Sequence, residues 1–391
     1  MTGRSRIRSL AAIVTMIGVV GLVFGLTGPL LNLLLERQGL SGRAIGLNGA
    51  MTALGALVFT PFIPSIAVRV GPFRLLFGTL AATALILVLF KALDDYRIWL
   101  ILRFMMGVCV VVPFLISEIW INQIATPQNR GRLLGIYAAC ISTGFGLGPL
   151  LMRFTGVGGW TPFLCAAGLV TIAMMAIAMA REDRPYLDRH GHKSPWPYIK
   201  GSPIAILAGL MYGAIETGIF GLLPVYGVRS GFSETTAATQ LTVIAAGNIL
   251  LQYPVGWLAD KTEPRRVLML CAVIGVLGGA CLPALKDTLF MWPVLFIWGG
   301  TITGMYTVAL TMLGHRYSGL ALASANAALI LAYNTGAMGG PPVLGQAMDL
   351  IDPDGLVYGL AGFFLVFVIA NIAAATLGRR SAQRPTDTGA A

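Results

Sequence analysis

Charged residues are scarce in this chain. Only 11% of its 391 residues are Asp, Glu, Lys or Arg, whereas 56% are hydrophobic. A soluble domain carries roughly 25% charged and roughly 45–50% apolar residues. A water-soluble globule of this composition could not cover its surface with polar groups. The composition therefore excludes a soluble protein and predicts one that lies in a membrane.

The residues used by metal sites and many enzymes are also scarce. The three histidines, His190, His192 and His315, fall in polar segments between apolar runs, and all five cysteines lie inside apolar runs. No cysteine is placed to form a disulfide in an oxidising compartment. The sequence also lacks the Gly-x-x-x-x-Gly-Lys-Ser/Thr motif that binds nucleotide phosphates. We therefore expect no enzyme activity, no metal, no cofactor and no drive by ATP.

Long apolar runs, by contrast, are abundant. About 18 or more apolar residues in a helix can cross the hydrocarbon core of a bilayer. Twelve such runs lie at about 10–35, 45–68, 74–93, 98–124, 132–152, 160–180, 203–228, 235–258, 267–285, 288–313, 320–345 and 356–377. They are too long and too uniformly apolar for barrel strands, so they predict twelve transmembrane helices. The first run exceeds the apolar region of a secretion signal, which indicates an uncleaved first span.

The basic residues are distributed unevenly between the two sides of these spans. With a cytoplasmic N-terminus, nineteen of the 27 Lys and Arg residues fall on the cytoplasmic side and seven on the far side, with Arg103 inside a span. Basic residues favour the cytoplasmic side, so both termini are predicted to be cytoplasmic. The net charge of +11 then faces an anionic lipid leaflet, and nucleic acid is not needed to explain it.

The chain has the pattern of two related halves. "GFGLGP" (144–149) and "GAMGGP" (336–341) are 192 residues apart, and the joints at 64–74 and 256–266 have the same offset. We predict an all-α membrane protein with twelve helices in two pseudo-symmetric six-helix bundles. The segments are a bundle at 1–180, a cytoplasmic linker at 181–202, a bundle at 203–380 and a tail at 381–391. Such repeats are typical of secondary transporters, whose site lies between the halves; chance similarity of short Gly/Pro motifs is the alternative.

The joint "GWLADKTEPRR" (256–266) carries a family resemblance. Gly-x-Leu-Ala-Asp-Lys/Arg followed by a basic pair resembles the signature of the major facilitator superfamily, found after the second span and echoed after the eighth. The copy after the eighth span is nearly complete. The copy after the second span has Pro64 in place of the glycine and Val68 in place of the aspartate.

Two further motifs resemble those of the same family. Arg103-x-x-x-Gly107 resembles its fourth-span arginine motif, and Gly144-x-x-x-Gly148-Pro149 resembles its antiporter motif, although Met152 and Arg153 replace a second glycine pair. "SEIWIN" and "LLPVYGVR" resemble a bacterial branch. The resemblance implies a drug/proton-antiporter-like transporter of the bacterial inner membrane that works by alternating access. Proton-coupled uptake, facilitated diffusion and a membrane receptor without net flux are the alternatives.

The resemblance also implies roles for the joints. In the family, the aspartate matching Asp260 belongs to a cytoplasmic latch between the halves; a solvated loop is the alternative. The predicted gate comprises Asp260, Lys261, Arg265, Arg266, Arg130 and Arg132. The small-residue rows predict close helix packing, and a bend that seals against ion leak is compatible with it. These rows contain Gly144, Gly148, Pro149, Gly336, Gly340 and Pro341.

Only two of the sixteen acids, Glu118 and Glu216, lie within spans. An ionised acid at mid-span costs about 2.5–3.5 kcal/mol on insertion scales. Desolvation disfavours the charged carboxylate, so such a group can exchange protons near neutral pH. We predict that at least one of them binds substrate or couples transport to protons; a neutral acid bonded to a neighbouring helix is the alternative. Arg103 lies about 22 Å along the helix from Glu118, too far to pair with it.

These considerations give a candidate site between the halves. Its predicted substrate-binding or proton-coupling residues are Glu118, Glu216, Arg103, Trp120, Asn122, Tyr212, Tyr306 and Asn334. Acids in low dielectric attract cations, and aromatic faces bind organic cations. We therefore expect a cationic or amphipathic small-molecule substrate, with protons and the lipid bilayer as the other partners and a monomer as the working unit.

Overall fold

The first half of the chain is a bundle of helices. The structure is a computed structural model that describes residues 3–125, 130–180 and 196–382. The helices are α1 (Gly3–Arg37), α2 (Gly42–Phe59), α3 (Ile63–Val70), α4 (Pro72–Ala92), α5 (Tyr96–Ile124), α6 (Arg130–Thr155) and α7 (Thr161–Met179). A single 3-10 turn, Thr60–Phe62, joins α2 to α3, so these three elements form one span.

The second half repeats this arrangement. Its helices are α9 (Pro203–Arg229), α10 (Glu234–Lys261), α11 (Pro264–Leu285), α12 (Met291–Arg316), α13 (Gly319–Leu350) and α14 (Gly355–Ala382), preceded by the short α8 (Trp196–Gly201). Eleven helices of the described chain are long and apolar enough to cross a membrane. The remaining predicted span, the eleventh along the chain, is α13, which has 32 residues and carries polar side chains and a Gly-Gly-Pro-Pro run. The predicted all-α class is confirmed.

The linker and the tail differ in detail from the prediction. Within the predicted linker, the structure describes only residues from 196 onward, and these form α8. The Tyr198 ring of α8 packs edge-on against Tyr317, with ring centroids 5.3 Å apart. At the other end, α14 continues to Ala382, two residues into the predicted tail. Residues 181–195 and 383–391 lie outside the described residues.

Glycines at equivalent places bring helices of each half into backbone contact. In the first half, a Cβ on Gly55 would meet the Phe104 carbonyl oxygen of α5, and one on Gly107 would meet the Thr52 carbonyl oxygen of α2. Gly247 and Gly299 follow these two at an offset of 192 and make the same reciprocal contact between α10 and α12. The repeated offset therefore reflects the same packing geometry in both halves.

Substitution at these crossings should lower stability. We expect Gly107→Ala to reduce the thermal unfolding temperature, because the new methyl meets backbone that cannot move aside. Overpacking costs about 1–3 kcal/mol, which outweighs the gain of up to about 1 kcal/mol in helix propensity. Gly299→Ala should reduce it similarly. Gly78→Ala, which meets nothing within 4 Å, is the control. Equal unfolding temperatures in detergent for all three variants would contradict the close crossing.

Candidate functional site

Glu216 lies in a cluster of tyrosines contributed by three helices of the second half. Its two carboxylate oxygens accept hydrogen bonds from the Tyr212 hydroxyl, 2.5 Å away, and from the Tyr333 hydroxyl, 2.8 Å away. Tyr306 of α12 completes the cluster, with ring centroids 5.1 Å from Tyr212 and 6.2 Å from Tyr333. The hydrogen bond to Tyr212 is local, one helical turn away. The bond to Tyr333 joins residues 117 positions apart.

Glu118 is the mid-span acid of the first half. The residue is exposed on α5. The hydroxyl of Ser117, the residue before it, lies 2.9 Å from the Tyr137 hydroxyl of α6. No hydrogen bond or ion pair that the structure describes joins Glu118 to the tyrosines around Glu216, so the described contacts do not bring the two acids together.

The remaining predicted residues of this group have different positions. Trp120 is 1% exposed and lies in the apolar core of the first half. The Asn122 amide donates to the Glu118 backbone carbonyl, and the Asn334 amide donates to the Ile330 backbone carbonyl, at 2.8 and 2.9 Å. Tyr333, which is not among the predicted site residues, holds the acid directly. A tyrosine near mid-span was the only sequence signal for it.

Arg103 lies apart from the acids, in a polar cluster near the other end of α5. It is 5% exposed. Its guanidinium donates to the Asn48 side-chain oxygen at 2.9 Å and to the Asn32 side-chain oxygen at 3.0 Å. The Asn32 amide in turn donates to the Gly221 carbonyl of α9, at 2.8 Å. The buried cation is thus connected through one amide side chain to the second half, five residues after Glu216.

A cluster of ion pairs joins the two halves where α1, α9 and α13 end. The Arg229 guanidinium makes two hydrogen bonds to Glu36 of α1, at 2.8 and 2.9 Å, and contacts both Asp349 and Asp352 at 3.1 Å. We call these four residues the Arg229 cluster. The sequence assigned them only to span ends and loops. The signal that could have found them is that Arg37 and Arg229 are equivalent at the offset of 192.

Asp349 of the Arg229 cluster also caps the N-terminus of α2 in the other half. The Asp349 carboxylate of α13 accepts hydrogen bonds from the backbone N–H groups of Gly42 and Arg43, at 2.7 and 2.9 Å, in the first turn of α2. A carboxylate at a helix N-terminus satisfies free N–H groups and opposes the positive end of the helix dipole. Nearby, Arg37 pairs with Glu234 at 2.6 Å. The halves are therefore joined at this end of the bundle.

The predicted gate lies at the opposite end. Asp260 and Lys261 are exposed, and Asp260 makes no hydrogen bond or ion pair with any side chain that the structure describes. Arg265 is held within its own half, by Asn371 of α14 at 2.6 Å, and Arg266 pairs with the adjacent Glu263 at 2.7 Å. Arg130 and Arg132 lie in α6, but their side chains are outside the described part. Arg265 therefore packs against α14 and makes no described contact across the halves.

The predicted small-residue rows lie at backbone crossings within each half. A Cβ on Gly144 or Gly148 would meet the backbone of α1, and a Cβ on Gly336 or Gly340 would meet that of α9. Pro149 and Pro341 lie inside helices α6 and α13. A Cβ on Gly46 of α2 would meet the carbonyl oxygen of Pro341 in the other half. The second row thus also borders the contact between the halves.

This geometry suits the binding of a charged ligand and the transfer of protons. Each half contributes one acid at mid-span, among helices that are otherwise apolar. The tyrosine hydroxyls donate hydrogen bonds to Glu216, and their rings present faces that attract cations. Within the described residues no group of three or more His, Cys, Asp or Glu side chains could hold a metal ion.

Comparison with known proteins gives consistent matches along the whole chain. The family model described as "Major Facilitator Superfamily" matches residues 13–318 and 230–391. The "Uncharacterized MFS-type transporter YfkF" of Bacillus subtilis (strain 168) is 23% identical over 385 residues, covering 96% of this chain and 97% of its own. An "Uncharacterized MFS-type transporter" of Yersinia pseudotuberculosis (strain YPIII) is 26% identical over 281 residues, or 70% and 72% of the two chains.

Two solved structures share the fold. A bacterial homologue of the human lysosomal transporter Spinster, in an inward-facing and unoccupied conformation, superposes with a TM-score of 0.77 at 14% identity and covers 97% of this chain and 98% of its own. The nucleoside transporter NupG superposes with a TM-score of 0.74 at 14% identity, covering 94% and 98%. At these identities the likeness extends to the fold alone.

Proposed function

Because this chain belongs to the Major Facilitator Superfamily and is a membrane transporter rather than an enzyme, we propose that it exports a small molecule in exchange for protons. The two six-helix halves rock about a central site and expose it to each side in turn, as in secondary transporters built from repeats. The substrate is cationic or amphipathic. The bacterial inner membrane is the proposed location, with both termini in the cytoplasm, and the protein works as a monomer.

One observation carries this proposal: the two mid-span acids, Glu118 on α5 and Glu216 on α9, come from opposite halves, and both carboxylate oxygens of Glu216 accept hydrogen bonds from tyrosine hydroxyls. A site assembled from both halves changes whenever the halves move. Acids in an apolar layer attract cations far more strongly than they do in water, and they can also bind protons. A cation and a proton therefore compete for the same negative charge, which is what exchange requires.

The ion pairs at the Arg229 cluster support a particular state of the cycle. With the predicted orientation, that cluster is on the far side and the exposed Asp260 is on the cytoplasmic side. The ion pairs then close the bundle to the outside. Asp260 of the predicted latch finds its partner across the halves when the cytoplasmic side closes.

A flux measurement tests the function. Purified protein is reconstituted into vesicles that contain a pH-sensitive dye, and an organic cation such as ethidium is added with and without a pH gradient. Exchange predicts that ethidium moves against the proton flow and that each movement drives the other. Co-directional movement would indicate symport, gradient-independent movement facilitated diffusion, and binding without movement a receptor. A thermal-shift screen of metabolites and drugs selects further probes.

A further inference from the structure

Arg103 is a buried cation of the first half whose described partners are all uncharged. Its guanidinium donates from Nε to the Asn48 side-chain oxygen at 2.9 Å, and from Nη2 to the Asn32 side-chain oxygen at 3.0 Å and to the Gly28 carbonyl at 3.3 Å. The residue is 5% exposed. No ion pair joins it to an acid that the structure describes, whereas Arg229 contacts three carboxylates. Among the described residues, only dipoles therefore oppose the positive charge of Arg103.

The two side-chain amides beside Arg103 have fixed orientations. A guanidinium only donates hydrogen bonds, so the atoms of Asn48 and Asn32 that face it must be their oxygens. The Asn32 nitrogen then donates to the Gly221 carbonyl of the second half, at 2.8 Å. The Asn48 nitrogen has no described hydrogen-bond partner, although the residue is 0% exposed. Turning Asn48 around would place a donor against a donor, so its nitrogen keeps two unpartnered N–H groups.

Two further groups at this place can donate hydrogen bonds. Nη1 of Arg103 makes no described hydrogen bond, and neither does the buried Thr52 hydroxyl, one turn after Asn48 on α2. The crossing of α2 and α5 brings these groups together, because a Cβ on Gly107, one turn after Arg103, would meet the Thr52 carbonyl oxygen. A Cβ on Gly28 would meet nothing within 4 Å, so there is room beside the guanidinium. The cluster thus combines a positive charge, an excess of donors and adjacent space.

A buried positive charge and unpartnered donors both favour an anion. Taking a charge out of water is costly unless the charge is paired, and unsatisfied buried donors add to that cost. A water molecule would accept from some of the N–H groups but would leave the charge unbalanced. One small anion accepts from several donors and removes both costs. The backbones of α2 and α5 touch at Gly55 and Gly107, which favours a monatomic ion over a larger one.

We propose that Arg103, Asn48 and Thr52 bind a small monovalent anion such as chloride. The ion accepts hydrogen bonds from Nη1 of Arg103 and from the side-chain nitrogen of Asn48. It neutralises the guanidinium and keeps it against Asn32, whose nitrogen bonds to Gly221 across the halves. The anion therefore stabilises the first half and also the contact between α1 and α9. The site is separate from the two mid-span acids, and the proposal does not depend on transport.

Thermal unfolding of the purified full chain in detergent tests the site. Chloride replaces gluconate, a larger anion, at constant ionic strength, and acetate is the carboxylate for comparison. A ligand that binds only the folded state stabilises it, so chloride should raise the wild-type unfolding temperature along a saturable curve. At a chloride concentration about ten times the dissociation constant, the rise should be about 2 °C. The chloride NMR line should broaden in the presence of the protein, and excess bromide should narrow it again.

Asn48→Asp separates the anion site from other effects of salt. The new carboxylate lies against Nε of Arg103 and supplies the negative charge from the protein itself. We expect this variant to unfold at a higher temperature than wild type in gluconate and to lose the response to chloride. Arg103→Gln removes the charge and should also lose that response. Arg97→Gln, which changes an exposed arginine of the same helix, should respond to chloride as wild type does.

The chloride response of the four proteins decides the proposal. A response that is present in wild type and Arg97→Gln but absent in Asn48→Asp and Arg103→Gln supports the site. Equal unfolding temperatures in chloride and gluconate, or an unaltered chloride response in Asn48→Asp, overturns it. A stronger response to acetate than to chloride overturns the choice of a monatomic ion. If Arg103→Gln does not fold, Asn48→Asp and the NMR line still decide the result.

Discussion

Glu216→Gln is expected to abolish ethidium transport driven by a pH gradient while ethidium exchange between the two sides of the vesicle continues. Glutamine is close to glutamate in size and can still accept a hydrogen bond from Tyr212 or Tyr333, but it cannot bind or release a proton. Net transport needs the site to change its protonation once in each cycle. Exchange of one ethidium for another needs no such change, so it should survive.

The two fluxes are measured in the same vesicles. The pH-driven rate of the variant should fall to the leak rate of protein-free vesicles, and its exchange rate should stay near that of wild type. Tyr333→Phe removes one hydrogen bond to Glu216 but keeps the carboxyl, so this variant should retain pH-driven transport. Normal pH-driven transport in both Glu216→Gln and Glu118→Gln would remove these acids from the coupling mechanism.

Arg229→Gln is expected to open the end of the bundle that the Arg229 cluster closes. Arg229, Glu36 and Asp349 have side chains that are 15%, 19% and 21% exposed, so the pairs are largely shielded from water. Removing the arginine leaves three carboxylates, those of Glu36, Asp349 and Asp352, without the cation that they share. Truncating one member of a shielded charge pair costs about 2–5 kcal/mol. Even the lower figure, about 2 kcal/mol, changes the ratio of closed to open molecules about thirtyfold.

Distances between spin labels at this end would measure the change. Labels at Phe154 and Leu289, each 82% exposed and in different halves, are placed on a variant without the five native cysteines. Arg229→Gln should broaden the distance distribution toward longer values. Arg37→Gln is the matched control at the equivalent position. Its pair with Glu234 is 49% and 28% exposed, and exposed pairs contribute about 0–1 kcal/mol.

Two further results would show whether the ion pairs or the apolar packing keep this end of the bundle closed. Adding Glu36→Gln to Arg229→Gln removes one unpaired carboxylate, so it should move the distribution part of the way back. Identical distributions in wild type, Arg229→Gln and Arg37→Gln would show that apolar packing, such as the approach of Gly46 to Pro341, closes this end without the ion pairs.

The spans could be predicted from the sequence because a bilayer imposes length and composition on each helix. The offset of 192 residues also predicted real geometry, since Gly55 and Gly107 in one half and Gly247 and Gly299 in the other make equivalent contacts. The eleventh span was correct in position, since 320–345 was predicted and α13 is Gly319–Leu350, even though this helix carries polar side chains and a Gly-Gly-Pro-Pro run. Features that depend on a single helix or joint, such as span length and the position of a packing glycine, can therefore be predicted from the sequence.

The partners of the site were harder to predict. Lipid is as apolar as the protein interior, so the spans lack the polar face that marks the outside of a soluble helix. The sequence therefore placed Glu216 and Glu118 in spans but did not show that Tyr333, 117 residues away, holds one of them. For the same reason Trp120 was grouped with the site although it is buried in the core.

The partners of charged residues at the ends of the spans were also hard to predict from the sequence. The resemblance placed Arg265 in a gate, but a guanidinium reaches several helices and this one bonds to Asn371, 106 residues away. The Arg229 cluster, in contrast, looked like ordinary span ends. Which arginine joins two halves depends on the three-dimensional arrangement of the helix ends, and spacing along the chain does not record it.

The two hydrogen bonds from α2 to Asp349 have a consequence for biosynthesis. Gly42 and Arg43 emerge from the ribosome 307 and 306 residues before the carboxylate that they bind. During that interval their N–H groups are solvated by water or lipid headgroups, so the start of the second span frays. Docking of α13 orders it. One of the last membrane segments to be inserted thus finishes the folding of one of the first, and the start of the second span depends on a residue that is made more than three hundred positions later.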